Sequence, residues 1–319
     1  MTSVSSSLVL IAACLSGVSI AQPYPTKPIR MIVPNAPGGL ADTAARLVAG
    51  KLSESFGQQV IVDNRVGAGS TIGTLAAVRA TPDGYTLLTV FDSHATNPHL
   101  FKKLEYDTLA DLAPISLLVR GPMLLVATPK LPASSVQEFV KMAKAKPGVI
   151  NFLAVGPGSP ARLFMELLKS SADIDMTMVS YKGAGPAMAD LMSGQVDIMF
   201  GTIPTVGNLV KSGKLKPLAI TSERRSDFAP GVPALNEAVP GFRAEVWVGM
   251  FAPVKTPTDI IGRLNAESVK VLATADLKAR FAEQGLESVG STPAQLDQWL
   301  RFEMDRWGKV IRDNKITLE

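Results

Sequence analysis

The sequence predicts an α/β protein organised around parallel strands, and three observations carry that expectation. Short apolar strands alternate with helix-length amphipathic segments along nearly the whole chain. Turns rich in Gly, Pro and Ser separate them. The chain has 319 residues, 46% hydrophobic and 19% charged. That is globular composition, with length for roughly two domains. Gly 26 and Pro 23 show no period, so collagenous, disordered and coiled-coil classes are excluded. The net charge is +4, and residues 1–21 contribute nothing to it.

The first α/β run begins with a strand at residues 28–34 (PIRMIVP) and a Gly-rich turn at 37–39. A helix follows over 41–56, with Ala44, Leu47, Val48 and Leu52 at helical spacing, and Gly57 is its expected C-cap. Residues 59–63 (QVIVD) form the next strand, 71–79 a helix, and 85–91 (YTLLTVF) a third strand after the turn Thr81-Pro82-Asp83-Gly84. Strand, helix, strand, helix, strand at this spacing implies parallel pairing.

A second run starts with a strand at 123–128 (MLLVAT) and a helix at 134–146, stopped by Pro147-Gly148. Strands are expected at 150–155, 176–181, 196–200 and 215–220, and helices at 161–170 and 187–192. Residues 247–252 (WVGMFA) read as a return strand, and the tail as helices at 259–273, 275–283 and 293–312.

The N-terminus reads as an export signal. Residues 8–20 (LVLIAACLSGVSI) are uncharged and, at 13 residues, too short to span a bilayer as a helix. Ser19 and Ala21 are small residues at the positions a signal peptidase reads, so cleavage is expected before Gln22. The preceding MTSVSSS lacks the usual Lys or Arg. Ile11-Ala12-Ala13-Cys14 loosely fits a lipoprotein signal, which leaves lipidation of Cys14 as an alternative, and a buried N-terminal helix is a third. No other segment is long and apolar enough to cross a membrane, so an exported protein free in the periplasm is expected.

Cys14 is the only cysteine, and His94 and His99 the only histidines. Zinc sites built from Cys and His, intrachain disulfides and, after cleavage, Cys/His catalysis are excluded. A Ser/His/Asp hydrolase would have to use His94 or His99, and no nucleophile–base constellation accompanies them. The glycines of GAGSTIG (67–73) are misspaced for a dinucleotide fingerprint, and no phosphate-binding loop of the Walker type exists. The basic stretches around Lys141/Lys144/Lys146 and Lys211/Lys214/Lys216 lack interleaved aromatics and read as solvated faces. No cofactor, metal or nucleic-acid partner is expected.

Four strand-to-helix turns carry the functional signal: 35–39 (NAPGG), 67–70 (GAGS), 156–160 (GPGSP) and 182–186 (KGAGP). In a parallel sheet such turns lie at the carboxyl ends of strands, where ligands bind. Each presents the free N–H groups of a helix start, which favour an anion. Two come from each half, the geometry of a cleft that holds a small anion from both sides. Capping alone also explains Gly and Ser there, and Ser159-Pro160 is a good helix start without any ligand.

Many segments in order resemble the Bug-type solute-binding receptors of the tripartite tricarboxylate transporter family. They are YPTKPIRMIVPNAPGGLADTAAR (24–46), VDNRVGAGSTIG (62–73), TPDGYTLL (81–88), YKGAGPAMADLMSGQVDIMF (181–200), GKLKPLAITSERRS, WVGMFAPVKTP and RWGKVIRDNKITLE (306–319). The resemblance implies a type II periplasmic-binding-protein fold. Its two α/β domains, 22–122 plus 248–319 and 123–247, are joined by crossing strands near 118–127 and 245–251, with 1–21 as signal peptide. It also implies that Asn35, Ala36, Pro37, Gly38 and Gly39 hold a ligand carboxylate, partly through water, with Asp42 organising the turn. Gly156, Pro157, Gly158 and Ser159, with Lys182 and Gly183, would grip the other side.

The family often has an aromatic where this chain has Asn35, and a histidine where it has Arg162. The Arg162 guanidinium suits a bidentate carboxylate contact; the alternative is an i,i+4 ion pair with Glu166. Asp92 and Ser93 follow the third strand: Ser93 would donate to the ligand and Asp92 would pair with Arg162 or a ligand cation, or both merely shape the turn. His94 and His99 are expected to be packing residues.

The function implied is non-catalytic capture of a small mono- or dicarboxylate by cleft closure, by a monomer, for the membrane permease subunits of a tripartite transporter. Delivery to a sensor kinase is the alternative among receptors, and a periplasmic enzyme acting on carboxylates is the rival class.

Overall fold

The computed structural model describes residues 24–155, 158–181 and 183–318. Its first half runs β1 (Ile29–Val33), α1 (Leu40–Phe56), β2 (Val60–Asn64), α2 (Thr71–Val78), β3 (Thr86–Phe91), α3 (Ser93–Leu100) and β4 (Leu112–Gly121). It continues with β5 (Met123–Ala127), α4 (Val136–Ala145), β6 (Asn151–Val155), α5 (Pro160–Ala172), β7 (Thr177–Tyr181), α6 (Ala184–Ser193), β8 (Ile198–Thr202), α7 (Ile203–Lys211) and β9 (Lys216–Ile220). The return strand β10 (Val246–Pro253) leads to α8 (Thr258–Leu272), α9 (Ala275–Glu283), β11 (Glu287–Ser288) and α10 (Pro293–Asp313).

The strands form two sheets, ordered β11-β4-β10-β3-β1-β2 and β7-β6-β8-β5-β9. With their helices they make lobe I and lobe II. In lobe I, β1 lies parallel to both β2 and β3, in registers that set Ile29 against Val60 and Met31 against Leu87. In lobe II, β6 lies parallel to β7 and β8. Strands β5 and β10, the first after each change of sheet, pair antiparallel with their neighbours. The expected α/β class with parallel strand–helix units is therefore what the chain adopts.

Local sequence explains most element ends. On α1 the buried residues Ala44, Ala45, Val48 and Leu52 share one face against the sheet. Gly57 ends the helix at φ 65°, its N–H donating to the Ser53 carbonyl at 3.1 Å. Ser159 opens α5: its Oγ accepts from the Arg162 N–H at 3.4 Å, and Pro160 occupies the first turn. Gly73 packs α2 on the strand ends; a Cβ there would stand 2.6 Å from the Arg65 carbonyl.

Four elements go beyond the sequence expectation. The segment forming α3 (SHATNPHL) carries an internal Pro98 and a weak apolar face, and it is helical because it packs along α10. The α7 segment contains Gly207, a poor helix former. Strand β4 carries Pro114 and shifts register twice against β10, so it lacks the clean alternation that marks a strand. Strand β11 has only two residues.

The lobes also meet through an aromatic contact. Phe164 of α5 stacks on Trp307 of α10, centroids 5.4 Å apart and planes within 7°. Both rings are fully buried. Phe164 further packs edge-on against Phe200 of β8, which stacks on Phe242. We expect Trp307→Ala to cost about 3–5 kcal/mol, the range for deleting a buried large aromatic, measured by urea unfolding followed by far-UV circular dichroism.

Candidate functional site: the cleft between the lobes

The site starts at the carboxyl end of β1. Gly38 takes φ 80°, a left-handed conformation that turns the chain into α1. Asp42, buried in the first turn of α1, fastens this corner. Its Oδ2 accepts from the Gly38 N–H and from Arg46 Nε, both at 2.9 Å. Its Oδ1 accepts from Asn64 Nδ2 at 2.8 Å, and the same amide donates to the Asn35 carbonyl at 3.1 Å. Burial alone would raise the Asp42 pKa, but the bonds from Arg46, Gly38 and Asn64 outweigh it and hold the carboxyl below its ordinary value.

Beside this corner the ends of β1 and β3 and the loop after β2 meet. Asn35 Nδ2 and Ser93 Oγ both donate to Ser70 Oγ, at 3.3 and 3.2 Å. Ala68 and Ser70 sit at positive φ, 42° and 80°, where non-glycine residues are strained. Asn97 of α3 braces that loop by donating to the Gly69 carbonyl at 2.8 Å.

Between the lobes lies a cavity of about 430 Å³. From lobe I it is lined by Gly38, Gly39, Leu40, Thr43 and Phe91. From lobe II it receives Ser159 and Pro160 at the start of α5, and Thr202, Pro204 and Thr205 at the start of α7. Leu153, Val155, Met199 and Phe200 form its apolar wall. Three helix starts thus converge on one space, and among the described residues none that lines it carries a charge. Among the described residues, an anion held there would be met by backbone N–H groups and helix dipoles and by no cationic side chain.

The expected site residues divide into groups. Gly38, Gly39 and Ser159 line the cavity. Asn35, Ala36, Pro37 and Asp42 build the corner around it, and Ser93 joins the Ser70 cluster. Asp92 is buried inside lobe I, where Oδ1 accepts from the Trp247 N–H at 3.1 Å and Oδ2 has no hydrogen-bond partner among the described residues. Burial and the nearby Glu303 carboxyl push its pKa well above the ordinary range. Arg162 Nη1 donates to the Thr317 carbonyl at 3.5 Å, while Glu166 pairs with Lys169 at 3.4 Å. Gly158 packs beside Leu100, leaving 3.1 Å for an added Cβ. Gly183 precedes α6 and does not line the cavity. Gly156, Pro157 and Lys182, like the signal segment and Cys14, lie outside the described residues. His94 is buried on Phe251, rings 5.2 Å apart, and burial lowers its pKa to about 3.

Sequence reasoning missed Thr202 and Thr205. Their signal was present: a buried strand running into Gly-Thr-Ile-Pro repeats the strand-cap-Pro pattern that marked Ser159-Pro160.

Two α/β lobes, two chain passages between sheets and an intervening cavity ringed by helix starts define a two-lobed solute-binding protein. Residues 44–316 match the tripartite tricarboxylate transporter family receptor (TctC), and the chain belongs to that family. It is 38% identical to Protein BugT of Bordetella pertussis over 320 residues, covering 98% of each chain. Among solved structures it is similar to MatC from Rhodopseudomonas palustris with bound malate, at 33% identity and TM-score 0.76, covering 90% of this chain and 100% of that one. It is also similar to an R. palustris protein solved with adipate, at 32% identity and TM-score 0.80, covering 91% and 97%.

The buried Asp92 sets a pH dependence. Its folded-state pKa lies above the unfolded value of about 4, so its contribution is fully present below that pH and is lost as pH rises toward the folded pKa. Asp92→Asn keeps an acceptor for Trp247 and removes the titration. Its melting temperature relative to wild type is expected to rise between about pH 4 and pH 7, as read by thermal unfolding at both.

Proposed function

We propose that this protein is a periplasmic receptor that captures a small mono- or dicarboxylate without altering it. Cleft closure would then present it to the membrane subunits of a tripartite tricarboxylate-type transporter. The observation that carries this is the convergence of the α1, α5 and α7 starts from opposite lobes on one cavity. The relatives solved with malate and adipate support the ligand class. Export fits the apolar segment at residues 8–20, cleaved before Gln22. Among the described residues no helix is long and apolar enough to cross a membrane.

In this reading the chain divides at Pro122 and near Val248, and the passages β4–β5 and into β10 serve as the hinge. The ligand binds first on one lobe, and closure adds contacts from the other. The first-turn N–H groups of α1, at Leu40 and Ala41, meet the carboxylate, while the N–H groups of Gly38 and Gly39 are given to Asp42 Oδ2 and the Ala36 carbonyl and fix the corner.

The direct test is a thermal-shift screen of the mature protein against mono-, di- and tricarboxylates and amino acids. A ligand that binds the native state raises its melting temperature. A carboxylate hit, recovered intact by mass spectrometry, is the expected result; a chemically changed acid or no hit overturns the proposal. Gly39 has an extended backbone (φ −72°, ψ 168°) that other residues adopt, and an added Cβ meets only the Ala36 carbonyl, at 3.2 Å. Gly39→Val, which replaces an N-cap glycine and presses on the Ala36 carbonyl, should still fold, with a stability loss of about 1–2 kcal/mol. It should lose at least about tenfold in affinity for the hit in a calorimetric titration, because its methyl groups occupy the cavity edge.

A further inference from the structure

The lining chemistry narrows the ligand, an inference that rests on the receptor function proposed above. The long wall of the cavity is Phe91, Leu153, Val155, Met199 and Phe200, which offers dispersion contacts and no polar side-chain partner. Asp42 at the lobe I corner and Asp92 after β3 are already committed. Asp42 accepts from Gly38, Arg46 and Asn64, and Asp92 is buried against Trp247. An ammonium group entering the cavity would shed water without gaining a carboxylate, a large cost for a desolvated charge.

On the lobe II side the lining includes a pair of hydroxyls. Thr202 Oγ1 and Thr205 Oγ1 lie 2.8 Å apart, both on the cavity. One donates to the other, which leaves the second hydroxyl's proton free for an acceptor in the cavity. They line the same cavity as the Gly38–Gly39 corner, from the other lobe.

We propose that the cavity selects a carboxylate with an apolar body and no ammonium group, whose second acidic end is met by the Thr202–Thr205 hydroxyl pair. Amino acids of the same length are refused because, among the described lining residues, the cation meets only neutral groups and no carboxylate. Monocarboxylates of the same length bind more weakly because the hydroxyl pair has no acceptor to meet.

Isothermal titration of the mature protein with adipate, 2-aminoadipate and hexanoate tests this. Adipate is expected to bind at least about tenfold more tightly than 2-aminoadipate. The double variant Thr202→Val/Thr205→Val, which removes both hydroxyl protons, should weaken adipate by about tenfold while leaving hexanoate almost unchanged. Equal or tighter binding of 2-aminoadipate overturns the selection against ammonium. A parallel loss for hexanoate in the double variant overturns the role of the hydroxyl pair. In both of those cases the receptor function stands; if the folded wild type binds no carboxylate at all, both fall together.

Discussion

The first-turn backbone N–H groups of α1, α5 and α7 have no partner within their own helices, and the architecture around the cleft follows from that constraint. A buried helix start must be satisfied by side chains, water or ligand. Here the protein caps α5 with Ser159, while α1 begins at Gly39 and α7 at Thr202 without a side-chain cap. Both uncapped starts open onto the cavity. The parallel order of β1 and β3 in one sheet and of β6 and β8 in the other puts these ends on one side of each sheet. Asp42 is the cost of the arrangement: one carboxylate holds the corner rigid from behind, so the donors in front need no ligand to set their direction.

Much of this was legible in the sequence, for physical reasons specific to each element. Strand β1 and helix α1 announce themselves because one is an apolar run and the other has a clean apolar face ended by Gly57. The Ser159-Pro160 start is encoded locally and appears as expected. The segment that became α3, and the first part of β4 before the crossing strand expected near 118–127, were not legible, because their conformations depend on partners far away in the chain. Helix α3 lies along α10, about two hundred residues later, and β4 is held between β10 and β11. The same distance hid the environment of Asp92. Its place after a strand suggested a ligand contact, but β10 covers it from one side and α10 brings Glu303 close from another.

Those two carboxyls tie the back of lobe I together. Glu303 Oε2 accepts from Trp307 Nε1 at 2.8 Å and from Arg306 Nη2 at 2.7 Å. Burial raises its pKa, partly offset by Arg306 and by the Trp307 and Arg306 bonds. The Trp307 ring it orients is the one stacked on Phe164 of lobe II. A polar network inside one lobe therefore fixes the aromatic surface on which the other lobe rests.

That contact bears on how the lobes can move. The column Trp307, Phe164, Phe200 and Phe242 runs from α10 through α5 to β8 and the segment before β10. Phe200 is also a wall of the cavity. Stacked rings slide or rotate at lower cost than they separate, because separation exposes their buried faces to water. Of these contacts only Trp307 on Phe164 joins lobe I to lobe II, so a change in the angle between the lobes would slide one face over the other rather than part them. A ligand that bridges the helix starts of both lobes would couple to that angle, whereas one that touches only Leu153, Val155, Met199 and Phe200, all of lobe II, would not.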